Sequence, residues 1–149
     1  DNLFNHLDID KTKTHFPSEE NYHQYDEDIK KAGGVDLQIL GIGANGHIGF
    51  NEPFTPFDSL THITDLTRKT IEDNARFFSS IEEVPTKAIT MGLTTIMNSK
   101  EVILIALGAN KADAIKALVD NVGESCPASI LNSHPNVTIY CDKDAASKL

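Results

Sequence analysis

At 149 residues the chain has the length of one domain and enough residues to bury a true core. Its net charge of −9 sets nucleic acid aside as a partner, because binding a phosphate backbone needs a basic face. No apolar run approaches membrane-spanning length, so a membrane is set aside too.

In chain order, residues 1–7 read as the tail of a helix and 8–18 as a polar connection, where Thr12, Thr14 and Pro17 oppose regular structure. Ser18 or Asn21 caps a helix running to Lys31, with Tyr22, Tyr25 and Ile29 at helical spacing and Gly33-Gly34 as its stop. Residues 35–40 read as a buried strand, and residues 41–53 as the glycine loop that follows it. Pro53 and Pro56 make 51–58 an irregular surface loop. A short strand is predicted over 61–66, and an amphipathic helix over 67–78 with Ile71, Ala75 and Phe78 on one side. Pro85 opens a further helix, followed at helical spacing by Ala88, Ile89, Leu93, Ile96 and Met97 and ended by Asn98-Ser99. Residues 101–107 form the strongest strand, apolar on both faces as a central parallel strand requires. Gly108 turns the chain into a helix over 111–119 through Ala112, Ile115 and Leu118. Residues 137–141 are the last strand, followed by a short terminal helix. Strands alternating with helices predict an α/β fold with a doubly wound, mainly parallel, Rossmann-like sheet, in one domain over 1–149.

The loop carries the chemistry. Between Gly41, Gly43, Gly46 and Gly49 stand Asn45 and His47, and Asn51 and Glu52 follow at once, so amides, an imidazole and a carboxylate share a tightly turning backbone. In an open α/β sheet, a loop at the carboxyl end of a strand is where ligands bind. Gly41, Gly43 and Gly46 match the dinucleotide pattern formally, but Gly49 and Pro53 interrupt the long helix that motif must open. No Gly-Lys-Ser/Thr closes the run, which excludes a P-loop. Lys111 at the start of a helix suits an anion, while a solvated helix lysine is the blander reading. Arg76 is either an anion ligand or the partner of Glu72 at i, i+4. The histidines lack metal-ligand spacing and Cys126 and Cys141 stand far apart, so neither metal nor cofactor is expected, and the thiols read as reduced ones in a cytoplasmic protein.

The run Gly41-Ile42-Gly43-Ala44-Asn45-Gly46-His47-Ile48-Gly49-Phe50-Asn51-Glu52-Pro53 resembles the active-site segment of the glucosamine-6-phosphate deaminases, also called isomerases. The resemblance continues through Asp65-Leu66-Thr67, Asn74-Ala75-Arg76-Phe77-Phe78, the segment from Val84-Pro85 to Met91-Gly92, Gly108-Ala109-Asn110-Lys111-Ala112, Pro127-Ala128-Ser129-Ile130-Leu131 and His134-Pro135. Phe50-Asn51-Glu52-Pro53 points to the deaminase branch rather than to the 6-phosphogluconolactonases of the same superfamily.

The resemblance implies conversion of glucosamine 6-phosphate and water to fructose 6-phosphate and ammonia in amino-sugar breakdown. His47 would shuttle a proton in ring opening, and Glu52 would hydrogen-bond and orient the imidazole. Asn45 stands where many relatives carry aspartate, so an orienting role is expected of it. Gly43, Arg76 and Lys111 are expected to meet the sugar phosphate, Arg76 from a mobile lid. The segment 54–64 has neither lysine nor arginine, so no allosteric activation by an amino-sugar phosphate is expected. The resemblance further implies that the chain starts in the middle of the family pattern, without the first strands, a phosphate loop and the aspartate base for the C2 proton. The 149 residues alone are then expected to release no ammonia, and to self-associate or form a homo-oligomer through an uncovered sheet edge or apolar face. Two alternatives remain open at this point: a sugar-phosphate sensor on the same fold, and a lactonase that keeps His47 as base.

Overall fold

A computed structural model describes residues 4–149. The expected helix tail over 1–7 lies partly outside them, and within them Phe4–His6 is a single 3-10 turn. The polar connection holds a second such turn, Lys11–Lys13, capped by the Asp10 carboxylate, which accepts the Thr12 N–H at 3.0 Å.

Helix α1 spans Tyr22–Lys31. Asn21 occupies the N-cap position but turns its side-chain oxygen back to accept the Ser18 N–H at 2.7 Å. Gly33 and Gly34, at φ 98° and 89°, end the helix by donating to the Lys30 and Ile29 carbonyls, a left-handed stop that a β-carbon would oppose. No residue of α1 is fully buried. Asp26 ties it to the rest, accepting the Thr61 N–H at 2.9 Å and the Thr95 hydroxyl.

Strands β1 (Leu37–Gly41), β4 (Glu101–Ala106) and β5 (Val137–Cys141) form a parallel sheet in the order β1-β4-β5, with Leu37 opposite Glu101 and Val102 opposite Val137. The α/β, mainly parallel, Rossmann-like reading stands. One face carries Leu40, Val102, Leu104 and Ala106 into a core with Ile48, Leu93, Ile96, Ile115, Leu118 and Leu131. The other face differs from the expectation of strands buried on both sides. Leu37, Ile39, Ile105 and Tyr140 remain 45%, 61%, 43% and 59% exposed, because no element among the described residues covers them. Helix α4 (Ala112–Val119) packs on the covered face against the 3-10 segment Pro127–Ser133, which the sequence pattern did not reveal.

The remaining strands, β2 (His62–Asp65) and β3 (Lys87–Thr90), pair antiparallel as a separate ribbon, with His62 opposite Thr90 and Asp65 opposite Lys87. This corrects the helix expected from Pro85: only α3 (Leu93–Met97) is helical there. Pairing with β2 overrides the helical spacing, and Gly92 begins a fresh start capped from outside, the Ser59 hydroxyl and carbonyl accepting the Leu93 and Thr94 N–H groups at 3.0 Å each.

The amphipathic helix over 67–78 is shorter than expected, α2 (Arg68–Asn74) passing into a 3-10 turn at Ala75–Phe77. The residue it buries is Thr70, whereas Phe78 stays 41% exposed. The 51–58 loop is irregular, but its start is interior rather than surface: Asn51 and Glu52 are 0% and 6% exposed. No terminal helix follows β5. There the Asp142 carboxylate is taken by the Gly108 and Ala145 N–H groups, and the chain continues as successive turns. Among the described residues no helix is long and apolar enough to cross a membrane.

Candidate active site

The site grows from the carboxyl end of β1. After Gly41 the chain folds over itself, Gly43 donating to the His47 carbonyl at 2.9 Å and Gly46 to the Gly43 carbonyl at 3.0 Å. This turn lays the imidazole flat against the backbone: a β-carbon on Gly43 would lie 2.2 Å from His47 Cε1. Gly46, at φ 84°, rests on buried Cys126, whose Sγ would lie 2.5 Å from an added β-carbon. Ile48, fully buried, pins the loop to the core. Asn51 then reverses the chain, its side-chain nitrogen donating to the Ile48 and Met91 carbonyls at 2.9 and 2.8 Å. The reversal brings Glu52 back beside Asn45 and His47.

The structure corrects one detail of the expected arrangement. His47 Nδ1 is 3.6 Å from Glu52 Oε2, too long for a hydrogen bond, and Asn45 stands between them. Asn45 donates from Nδ2 to Glu52 Oε2 at 2.8 Å and receives His47 Nδ1 on Oδ1 at 2.7 Å. A carboxylate only accepts, so it draws the amide nitrogen and leaves the amide oxygen for the imidazole. That oxygen only accepts in turn, so Nδ1 carries the hydrogen. Nε2, without a protein partner among the described residues, keeps its lone pair for a ligand.

The charges agree with this tautomer. Burial pushes Glu52 up, but hydrogen bonds from Thr70, Asn45 and Thr67, with attraction to His47, more than reverse it and hold the carboxyl below its ordinary value. His47 is lowered from 6.5 mainly by burial, with Lys111 acting in the same sense and Glu52 and Asp73 opposing. At neutral pH the pair is therefore an anionic carboxylate and a neutral imidazole.

His47 lines a cavity of about 420 Å3 whose wall also includes Gly43, Asp73, Asn74, Arg76 and Lys111. Lys111, half-buried ahead of α4, is lowered by burial, then raised by Asp73 and lowered by Arg76 and Lys69. Cation and acid–base pair thus share one pocket. Arg76 does not pair with Glu72, which takes Arg68 instead at 2.9 Å; its guanidinium stands 4.7 Å from the centre of the Phe77 ring. Among the described residues neither Arg76 nor Lys111 has a carboxylate within 4 Å, so both remain available to an anion.

All six singled-out residues, Gly43, Asn45, His47, Glu52, Arg76 and Lys111, therefore lie in or directly behind one cavity. Thr67, Thr70 and Asp73 were missed. The Thr67-x-x-Thr70 step was a signal for a capped helix start, but nothing local tied it to Glu52. The described residues hold no cluster of three or more histidine, cysteine or acidic side chains that could bind a metal, and both cysteines are free thiols.

Comparison with known proteins identifies the family of the chain. Residues 1–140 match the family model described as glucosamine-6-phosphate isomerases/6-phosphogluconolactonase. A glucosamine-6-phosphate deaminase of Clostridium novyi is 55% identical over 156 residues, covering 100% of this chain and 65% of that protein. One of Mycoplasma mycoides is 55% identical over 151 residues, covering 99% of this chain and 62% of the relative. The chain thus spans slightly less than two thirds of the length of the curated relatives it matches. The solved structure of a monomeric glucosamine-6-phosphate deaminase superposes with a TM-score of 0.94 at 42% identity, over 98% of this chain and 64% of the other. The 6-phosphogluconolactonase of Trypanosoma brucei, at 18% identity and a TM-score of 0.63 over 92% of this chain and 57% of its own, shares the fold. Sequence and fold converge, and the chain belongs to the glucosamine-6-phosphate isomerase/6-phosphogluconolactonase family.

Proposed function

We propose that this chain carries the acid–base relay and part of the phosphate grip of a cytoplasmic enzyme that converts glucosamine 6-phosphate and water to fructose 6-phosphate and ammonia. The observation that carries the reading is the commitment of His47 Nδ1 to Asn45, which leaves Nε2 to a cavity walled by Lys111 and Arg76. A closed amino-sugar ring must lose the C1 hydroxyl proton and gain one on the ring oxygen before its carbon skeleton can isomerise. A neutral imidazole with one free nitrogen takes the first proton and returns it as imidazolium, and the Glu52 charge, relayed through Asn45, stabilises that cation. Lys111 and Arg76 would hold the phosphate at the other end, Arg76 swinging in from the exposed turn after α2. The proton at C2 needs a further base, which no residue of this chain is assigned. Water then replaces the nitrogen at C2, releasing ammonia. The deaminase names of relatives 55% identical support this choice over lactone hydrolysis.

Ammonia release from glucosamine 6-phosphate by the intact gene product tests the reading. His47→Gln is expected to lower kcat by about 10²- to 10⁴-fold, the usual contribution of a positioned acid–base group. A wild-type protein that releases no ammonia but opens 6-phosphogluconolactone would transfer the chain to the lactonase branch.

A further inference from the structure

Glu52 is held from two sides by segments distant in sequence. Its Oε2 belongs to the glycine loop through Asn45, whereas its Oε1 belongs to α2, accepting the Thr70 hydroxyl and, at 3.3 Å each, the Thr67 N–H and hydroxyl. We propose that Thr70, backed by Thr67, is a positioning residue of the relay: its hydroxyl aims the Glu52 carboxylate at Asn45 and seats on it the arm that carries Arg76.

Helix formation does not account for that hydroxyl. Thr67 alone caps α2, its Oγ1 accepting the Thr70 N–H at 3.2 Å. A β-branched residue in the following turn contributes nothing to helix propensity, and a buried threonine hydroxyl in a helix ordinarily turns back to a preceding carbonyl. Thr70 is 1% exposed, the only buried residue of α2, and its hydroxyl lies 3.0 Å from the Thr67 cap hydroxyl and donates not to a preceding carbonyl but to a carboxylate. Valine has nearly the same shape and would fill the space without a polar atom. The hydroxyl is therefore there for Glu52.

One turn onward, the Asn74 side chain donates to the Thr70 carbonyl at 2.8 Å, and Asn74, Asp73 and Arg76 line the cavity. From the carboxylate to the cavity wall the path is a single short run of helical backbone. The orientation of Glu52 and the seat of Arg76 are accordingly one contact viewed from its two ends.

The charged groups around this contact are few. Glu52 feels His47 across Asn45, and His47 in turn feels Lys111 from the start of α4 and Asp73 from α2. Removing the Thr70 donor takes a hydrogen bond from the ionised carboxyl and leaves the other charges in place. The carboxyl must then hold its proton to higher pH, and the acid limb of activity, which requires Glu52 ionised, must follow.

The inference rests on the proposed function for its kinetic arm alone. The experiment follows the Glu52 side-chain carboxyl by carbon NMR through a pH titration, alongside the pH profile of ammonia release, in the intact wild type, Thr70→Val and Thr70→Ser. Thr70→Val is expected to raise the Glu52 pKa by about one unit, the size of a charge-assisted hydrogen bond, and to shift the acid limb of kcat/KM by the same amount. KM should rise several-fold as Arg76 loses its seat. Thr70→Ser, which keeps the hydroxyl, should restore all three. An unchanged Glu52 titration in Thr70→Val, or no recovery in Thr70→Ser, overturns the proposal, since a purely structural threonine would affect only the folded fraction. Should Thr70→Val fail to fold, Thr70→Ala decides: a Glu52 titration unchanged from wild type overturns the inference, and one raised from it, with the Thr70→Ser titration unmoved, supports it. If the wild type releases no ammonia, the functional reading fails alone and the NMR arm still judges the role of Thr70.

Discussion

Asn45 bridges His47 and Glu52 because an amide offers a donor and an acceptor on one small group. A carboxylate at that position would face Glu52 with like charge, and the pair would have to share a proton. The amide avoids this, at the cost of having no proton of its own to exchange. Beneath it, Gly43 sets the depth at which the imidazole lies. Its missing β-carbon would fall 2.2, 2.4 and 2.6 Å from three atoms of the His47 ring, and those are the atoms of a side chain that can swing aside. Gly43→Ala should therefore fold with a loss of at most about 1 kcal/mol, less than the overpacking cost at a site whose neighbours cannot yield. Its ammonia release should nonetheless fall nearly as far as that of His47→Gln, because the displaced ring leaves Asn45 Oδ1. Urea unfolding and the activity assay, run together, read the two effects separately; activity close to wild type would mean that the imidazole does not need this seat.

Elements were legible where their own residues settled them. Apolar content placed β4 and β5, and helical spacing placed α1, with its glycine stop, and α4, after the Gly108 turn, because each pattern lies within its own segment. The failures share a cause in contacts between segments. Residues 87–90 carry helical spacing yet become β3, since pairing with β2 and the carbonyls of Ser59 and Leu60 beside Gly92 decide the matter. The turns after β5 exist because Asp142 is spent on Gly108, far away in sequence. The site divides in the same way. The loop announced itself by chemistry packed into a few residues, whereas the hold of Thr70 on Glu52 spans eighteen positions and leaves no local trace. Gly92 offers the sharpest check of this account, since its added β-carbon would meet backbone, 2.2 Å from the Ser59 carbonyl oxygen and 2.3 Å from that of Leu60. Ser59 cannot retreat without opening the cap of α3, and the Leu60 carbonyl is bonded to the His62 ring at 2.7 Å. Gly92→Ala is expected to cost about 3 kcal/mol or more in urea unfolding, at the upper end of overpacking penalties. A cost below about 1 kcal/mol would show that the joint between β3 and α3 is slack.

Across the whole molecule the asymmetry of the parallel sheet has the largest consequence. One face of β1-β4-β5 is packed and contains the wholly buried Val102 and Leu104, while the other presents Leu37, Ile39, Ile105 and Tyr140, and β1 is an edge strand. Leu107, just beyond β4, is 63% exposed. An apolar strip beside unpaired backbone donors and acceptors is the arrangement that native sheets blunt with charge, and here the charge is confined to Glu101 opposite Leu37 at one end of the strip. The net charge of −9 opposes association at long range, but at physiological salt it is screened beyond about 8 Å, less than the width of a sheet. The 149-residue chain on its own is therefore expected to self-associate at micromolar concentration, increasingly as salt is added. Light scattering across a salt series measures this. Tyr140→Lys with Leu107→Lys should return the chain to monomer, since both side chains are more exposed than buried, neither lines the His47 cavity, and the substitutions leave the packed face untouched. The same double variant should leave the His47–Asn45–Glu52 relay intact, which a histidine NMR titration can verify. A wild-type chain that stays monomeric at high salt would mean that the strip is too narrow, or too interrupted by Thr138 and Gly41, to hold a second copy.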